Sequence, residues 1–121
     1  ISDRFHFTGF LKGKQVYEML KRSDVYVMPS VSEPFGISPL EAMQCNIPTI
    51  ISKQSGCAEI LSKAIKTDYW DVEAMADAIY SICTYNAMSQ FLSKEGKAEV
   101  DNIKWEYAGQ KVRDIYNSLS K

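Results

Sequence analysis

Apolar positions recur along this chain with two different periods, and the two alternate before the longer one takes over. Arg4-Phe5-His6-Phe7-Thr8 alternates in polarity and stops at Gly9, which predicts a strand with one face more exposed than the other. From Lys14 to Arg22, Val16, Met19 and Leu20 fall at helical spacing and predict one apolar stripe facing a sheet, ended by Ser23-Asp24. Val25-Tyr26-Val27-Met28 is a continuous apolar run between Asp24 and Pro29, the pattern of a central parallel strand covered on both faces. Leu40, Ala42 and Met43 then predict a helix with Ser38 as its cap and Pro39 at the first helical position, where the missing N–H is no loss. Cys45-Asn46 ends it, and Asn46 suits the left-handed residue that closes many helices.

Pro48 to Ile51 returns to the sheet, Lys53 to Gly56 is a turn, Cys57 to Leu61 a helical turn and Ala64-Ile65-Lys66 a short final strand. Beyond Trp70 only helical spacing remains. Val72, Met75, Ala76, Ile79, Ile82 and Cys83 share one face capped by Asp71. A further helix is expected over 87–97, and a last one carries Trp105, Ala108, Val112, Ile115, Tyr116 and Leu119. About four strands alternating with helices predict an α/β fold, a Rossmann-like three-layer sandwich with a mostly parallel sheet and right-handed crossovers. One domain, 1–121, accounts for the pattern, its C-terminal helices occupying about 72–119.

Composition narrows the chemistry mainly by exclusion. The chain has 121 residues, 45% hydrophobic and 24% charged, enough for a modest core. Fourteen basic residues against fifteen acidic ones, with no basic stripe interleaved with aromatics, argue against nucleic acid as a partner. Cys45, Cys57 and Cys83 lack CxxC spacing and His6 is the single histidine, so neither a metal site nor a disulfide framework is expected. A reducing, cytoplasmic setting follows as the simpler expectation, with peripheral membrane attachment of a longer protein left open. No apolar run approaches the roughly 20 residues of a membrane span. Neither a Gly-x-Gly-x-x-Gly fingerprint nor a Walker loop occurs, so NAD binding and P-loop chemistry are not indicated. The opening Ile-Ser-Asp-Arg-Phe is neither a signal peptide nor a Met start, and we expect a piece of a longer chain.

The candidate chemistry lies in Glu33-Pro34-Phe35-Gly36-Ile37-Ser38-Pro39-Leu40-Glu41, two carboxylates with seven residues between them in a strand-to-helix connection. Open α/β sheets bind ligands at the carboxyl ends of their strands. Gly36 lets backbone come close to a ligand, and N–H groups over 35–38 can meet a diphosphate or sugar hydroxyls. A carboxylate at 33 can orient hydroxyls or stabilise an oxocarbenium-like centre, and one at 41 can grip ribose hydroxyls with two hydrogen bonds. On residue type alone the favoured reading of Glu41 is as the partner of Ser38 in a Ser-x-x-Glu capping box, worth about 1 kcal/mol.

Val27-Met28-Pro29-Ser30, Glu33-Pro34-Phe35-Gly36 and Leu40-Glu41-Ala42-Met43 together resemble the E-x7-E signature of glycosyltransferase family 4, retaining GT-B enzymes that include glycogen synthase-like proteins. The resemblance extends through Phe7-Thr8-Gly9, Ile47-Pro48-Thr49-Ile50, Ser55-Gly56 with Glu59, and Trp105, nearly the whole chain. It implies the latter part of a C-terminal donor-binding domain, whose acceptor domain and diphosphate-binding cations lie outside this sequence. Glu33 would then be the glutamate near the donor sugar, a nucleophile or an electrostatic support for front-face transfer. Backbone at Phe35, Gly36 and Ile37 would meet sugar and phosphate, and Glu41 would bond the ribose. Phe10 and Leu11, just after Gly9, could border the nucleobase or serve core or interface packing. The implied activity is hexosyl transfer from a nucleotide-diphosphate sugar to a saccharide or glycan, without a cofactor or divalent metal and inactive in this piece alone. Asn46 stands where the family has glycine in a Gly-x-Pro turn, and Ser55 where Gly-Gly is common.

A rival reading is a noncatalytic Rossmann-like nucleotide-binding or protein-interaction module, self-associating through a strand edge at 4–8 or through surface meant for other structure. Lys53 is read as a solvated loop lysine that could reach phosphate, Glu59 as a local cap or pair, and His6 as without a relay partner.

Overall fold

A computed structural model of the chain describes residues 4–6, 14–29 and 39–119, the stretch 104–119 by its backbone alone. Helix α1 spans Lys14–Lys21, strand β1 Tyr26–Met28, helix α2 Pro39–Gln44, strand β2 Thr49–Ser52, strand β3 Ile65–Thr67, helix α3 Val72–Thr84 and helix α4 Asn86–Leu119. The strands form a parallel sheet in the order β1-β2-β3. Parallel pairing needs a crossover between neighbours, and α2 supplies the one from β1 to β2.

Register sorts the sheet into two faces. Met28 pairs with Ile51 and Ile51 with Lys66, so these share one face, whereas Val27, Ile50 and Ile65 share the other. On the first face Met28 and Ile51 form a core with Met43 of α2, Val100 of α4 and Cys57, Ala58, Leu61 and Ala64 from the β2-to-β3 connection. A second core joins Val16 and Leu20 of α1 to Ala42 and Ile47. Helix α3 packs on β2, β3 and α4. All four residues of β2 are buried, so it is the central strand of the described sheet; β1 is half-buried at Tyr26 and Val27. The apolar run at 25–28 therefore marks a strand correctly but at an edge of that sheet.

Helix α2 ends as its sequence predicts. Asn46 has φ 62°, and its N–H donates to the Met43 carbonyl (3.1 Å) while the Ile47 N–H donates to that of Ala42 (3.1 Å). That paired pattern is a Schellman motif, and Ile47 and Ala42 make its hydrophobic contact in the second core. Asp71 caps α3 by accepting from the Ala74 N–H at 3.0 Å, again as expected.

Three expectations change. Residues 4–6 are not strand, the remainder of the 4–8 segment lying outside the described residues, and β-structure requires a partner that 4–6 do not find among the described residues. The face drawn on α3 is only partly buried: Ile82 is inside, while Val72, Ala76 and Cys83 are exposed. The helices expected over 87–97 and from Trp105 are one helix, α4. Gly96 lies buried inside it, where a Cβ would stand 3.2 Å from the Met43 Cε. Glycine there lets α4 approach α2 closely, which offsets its poor helix propensity of about 1 kcal/mol.

Candidate functional site

Three parallel strands end at one rim, so the connections that leave them are neighbours whatever their separation in sequence. The connection from β1 leads to Glu41, in the first turn of α2 and half-buried. Glu33, Phe35, Gly36, Ile37 and the capping residue Ser38 lie outside the described residues, as do Phe10 and Leu11.

The connection from β2 is built by short-range hydrogen bonds. The Ser55 hydroxyl donates to the Ser52 carbonyl at 2.8 Å and lies 3.6 Å from the Cys57 Sγ, so this serine is buried structure as well as rim. Cys57 to Leu61 makes the expected helical turn, with Ile60 and Leu61 N–H groups donating to the Cys57 carbonyl. Gly56 is exposed, and a Cβ built on it would meet nothing within 4 Å, which leaves open space above the backbone there.

The connection from β3 carries residues that the sequence reading passed over. The Lys53 N–H extends the ladder to the Thr67 carbonyl (2.8 Å). Gln54 then bridges the two connections: its Nε2 donates to Asp68 Oδ1 (3.0 Å) and its Oε1 accepts from the Tyr69 N–H (3.1 Å). Lys53 Nζ stands 3.8 Å from Asp68 Oδ2, so the lysine read as merely solvated has a partner across the rim. Tyr69 and Trp70 follow, their rings edge to face with centroids 4.9 Å apart. Thr67 is buried with its hydroxyl lacking a hydrogen-bond partner. The one signal for this cluster in sequence was two consecutive aromatics in a turn just before a helix cap.

Charge elsewhere serves architecture. The Glu99 carboxylate of α4 accepts from the Ser62 and Lys63 N–H groups (3.0 and 2.9 Å) and from the Ser62 hydroxyl, tying α4 to the segment entering β3 at the rim opposite Glu41. Burial alone would raise its pKa, but the Ser62 hydroxyl, the two N–H groups and the Lys63 charge hold it below the usual value. An open groove of about 580 Å³ runs beside Asn46, Ser89, Ser93 and Lys97, and Lys97 is paired with Asp101 at 2.8 Å. His6 and Glu59 are exposed. Among the described residues no three His, Cys, Asp or Glu side chains are grouped to hold a metal ion, and no helix is long and apolar enough to cross a membrane. The three cysteines are free: Cys57 is buried, Cys45 half-buried and Cys83 exposed.

The family model described as glycosyl transferases group 1 matches residues 1–99, which include both glutamates and all three strands. The chain belongs to this family. Its sequence is 32% identical over 103 residues to the 2-deoxystreptamine N-acetyl-D-glucosaminyltransferase of Niallia circulans, covering 83% of this chain and 26% of that protein. It is 28% identical over 114 residues to a sulfoquinovosyl transferase of Arabidopsis thaliana, covering 89% of this chain and 22% of the plant protein. Among solved structures, the sucrose-phosphate synthase of Thermosynechococcus elongatus matches with a TM-score of 0.80 at 29% identity, over 97% of this chain and 30% of that one. The group 1 segment therefore has the α/β architecture of the matching part of a GT-B glycosyltransferase, and it spans about a quarter of the length of the curated relatives. The expected family and fold class both hold.

Proposed function

We propose that this chain is the donor-binding part of a retaining glycosyltransferase that moves a hexose from a nucleotide-diphosphate sugar to a saccharide or glycan acceptor. The observation that carries the reading is Glu41, half-buried in the first turn of the helix that follows β1, with Glu33 seven intervening residues upstream in a group 1 glycosyl transferase. Glu41 grips the ribose hydroxyls, which a carboxylate can do with both oxygens. Glu33 faces the anomeric carbon, where its charge stabilises the positive centre that develops as the bond to the leaving diphosphate breaks. Backbone at Phe35, Gly36 and Ile37 meets the sugar and phosphate, and Phe10 and Leu11 border the base. Ser55 and the open face of Gly56 support the same assignment from the neighbouring connection, since a ligand at the rim needs that space. The reaction draws its stabilisation from carboxylates, N–H groups and cations, without a divalent metal, and a further domain holds most of the acceptor.

Kinetics of the enzyme that contains this segment test the roles. Glu33→Gln lowers kcat by about 100-fold or more, the scale for losing one electrostatic group at a reacting centre. Glu41→Ala raises the donor KM with a smaller effect on kcat. Product analysis by NMR finds the anomeric configuration of the donor. Wild-type kinetics in both variants, or inverted product, would overturn the reading, and absence of saturable nucleotide binding would favour a noncatalytic module.

A further inference from the structure

Several exposed aromatics among the described residues stand singly, Tyr17 and Tyr80 on helices and Tyr85 between two, and isolated exposed apolar residues are ordinary. Phe91 is covered from one side by the Lys63 ammonium, 5.7 Å from its ring centre. Tyr69 and Trp70 differ in three respects. They are adjacent and in ring contact, and they are 48% and 62% exposed, so the pair forms one aromatic surface. Their rings pack edge to face, which holds the pair in one arrangement. Their turn is fastened to the β2 connection by both atoms of the Gln54 amide and by the Lys53–Asp68 pair, so the surface is pre-organised.

We propose that this turn is a saccharide-binding platform, with Trp70 and Tyr69 as its apolar floor and Asp68 and Lys53 as its polar edge. A pyranose ring presents C–H groups on one face and hydroxyls around its rim. The electron-rich face of an aromatic ring attracts the first, and a carboxylate beside an ammonium matches the second. Asp68 retains capacity for this: Oδ1 accepts from Gln54, but Lys53 Nζ lies 3.8 Å from Oδ2, too far for a strong hydrogen bond, leaving donors and acceptors available to hydroxyls.

Charge selects among ligands. Asp68, Asp71 and Glu73 outnumber Lys53 and Lys66 around the turn, which disfavours phosphate or any anionic surface and leaves a neutral polyhydroxyl compound as the matching class. The platform shares its rim with Glu41, about two strand spacings or roughly 10 Å from the end of β1. A sugar there would be a unit of the acceptor beyond the reacting one. The ligand class rests on the proposed sugar transfer, whereas the platform does not depend on the roles given to Glu33 and Glu41.

The test is NMR of the 121-residue chain, following the two tryptophan indole N–H signals during titration with maltotriose, with glycerol as the polyol control and UDP in a separate titration. The Trp70 signal, assigned by its loss in Trp70→Ala, should move saturably with maltotriose and not with glycerol. Asp68→Asn and Tyr69→Ala should weaken that response by up to about tenfold, with melting temperatures unchanged. An immobile Trp70 signal, or identical maltotriose-induced shifts elsewhere in Trp70→Ala, would overturn the platform. UDP-induced shifts over 33–41 beside an unmoved Trp70 would sink the platform and leave the donor site standing; the converse would do the opposite.

Discussion

Asn46 shows how one residue records both a backbone demand and a compromise. Its φ of 62° lies in the left-handed region, where asparagine is tolerated and glycine is unstrained. Asn46→Gly should therefore raise stability by up to about 1 kcal/mol, and Asn46→Val should lower it by more than that, as measured by urea unfolding. Glu99 carries a prediction of different form. Its folded pKa lies below the ordinary value of 4.5, so its contribution is present above that pH and is lost as pH falls through the lower, folded value. Glu99→Gln should melt earlier than wild type at neutral pH, and the gap should close as pH falls through the lowered, folded pKa. A gap that persists at low pH would mean the anchor does not depend on charge.

Among elements, the contact between α2 and α4 is the tightest test of packing. Alanine at Gly96 gains about 1 kcal/mol of helix propensity but brings a Cβ to 3.2 Å from the flexible end of Met43, so the two effects should nearly cancel. Gly96→Leu has no such compensation and should cost about 2 kcal/mol or more in chemical denaturation. If Gly96→Leu were neutral, the close approach of the two helices would be wrong. At this glycine tertiary packing requires a small residue, and helix propensity is the weaker influence. Boundaries set by turn chemistry were legible: Ser23, Asn46 and Asp71 all end or begin helices as their side chains suggest. Residues 4–6 are not strand despite their alternation, because alternation states a preference and pairing decides it.

For the molecule as a whole, the parallel sheet and the residue order around β1 and α2 were readable because hydrophobic runs and helix caps are local. What joins distant segments was not readable. The Gln54 bridge to Asp68 and Tyr69 spans about fifteen residues of sequence, and only the parallel arrangement of β2 and β3 puts its ends together. Glu41 carries two readings in sequence, capping from Ser-x-x-Glu and binding from its spacing to Glu33. The unpaired Thr67 hydroxyl separates structure from ligand binding at the rim. Thr67→Val should be neutral or stabilising, since it removes a buried polar group that has no partner.

The central claim is that residues around 33 and 41 form one nucleotide site at the carboxyl rim of the sheet. Titration of the isotopically labelled chain with UDP, ADP and GDP tests it most directly. The account predicts saturable shifts in the amides of 33–41 and 52–56 with at least one of the three, reduced at least about tenfold in affinity by Glu41→Ala. Amides that stay fixed with all three, or an unchanged response in Glu41→Ala, would contradict it.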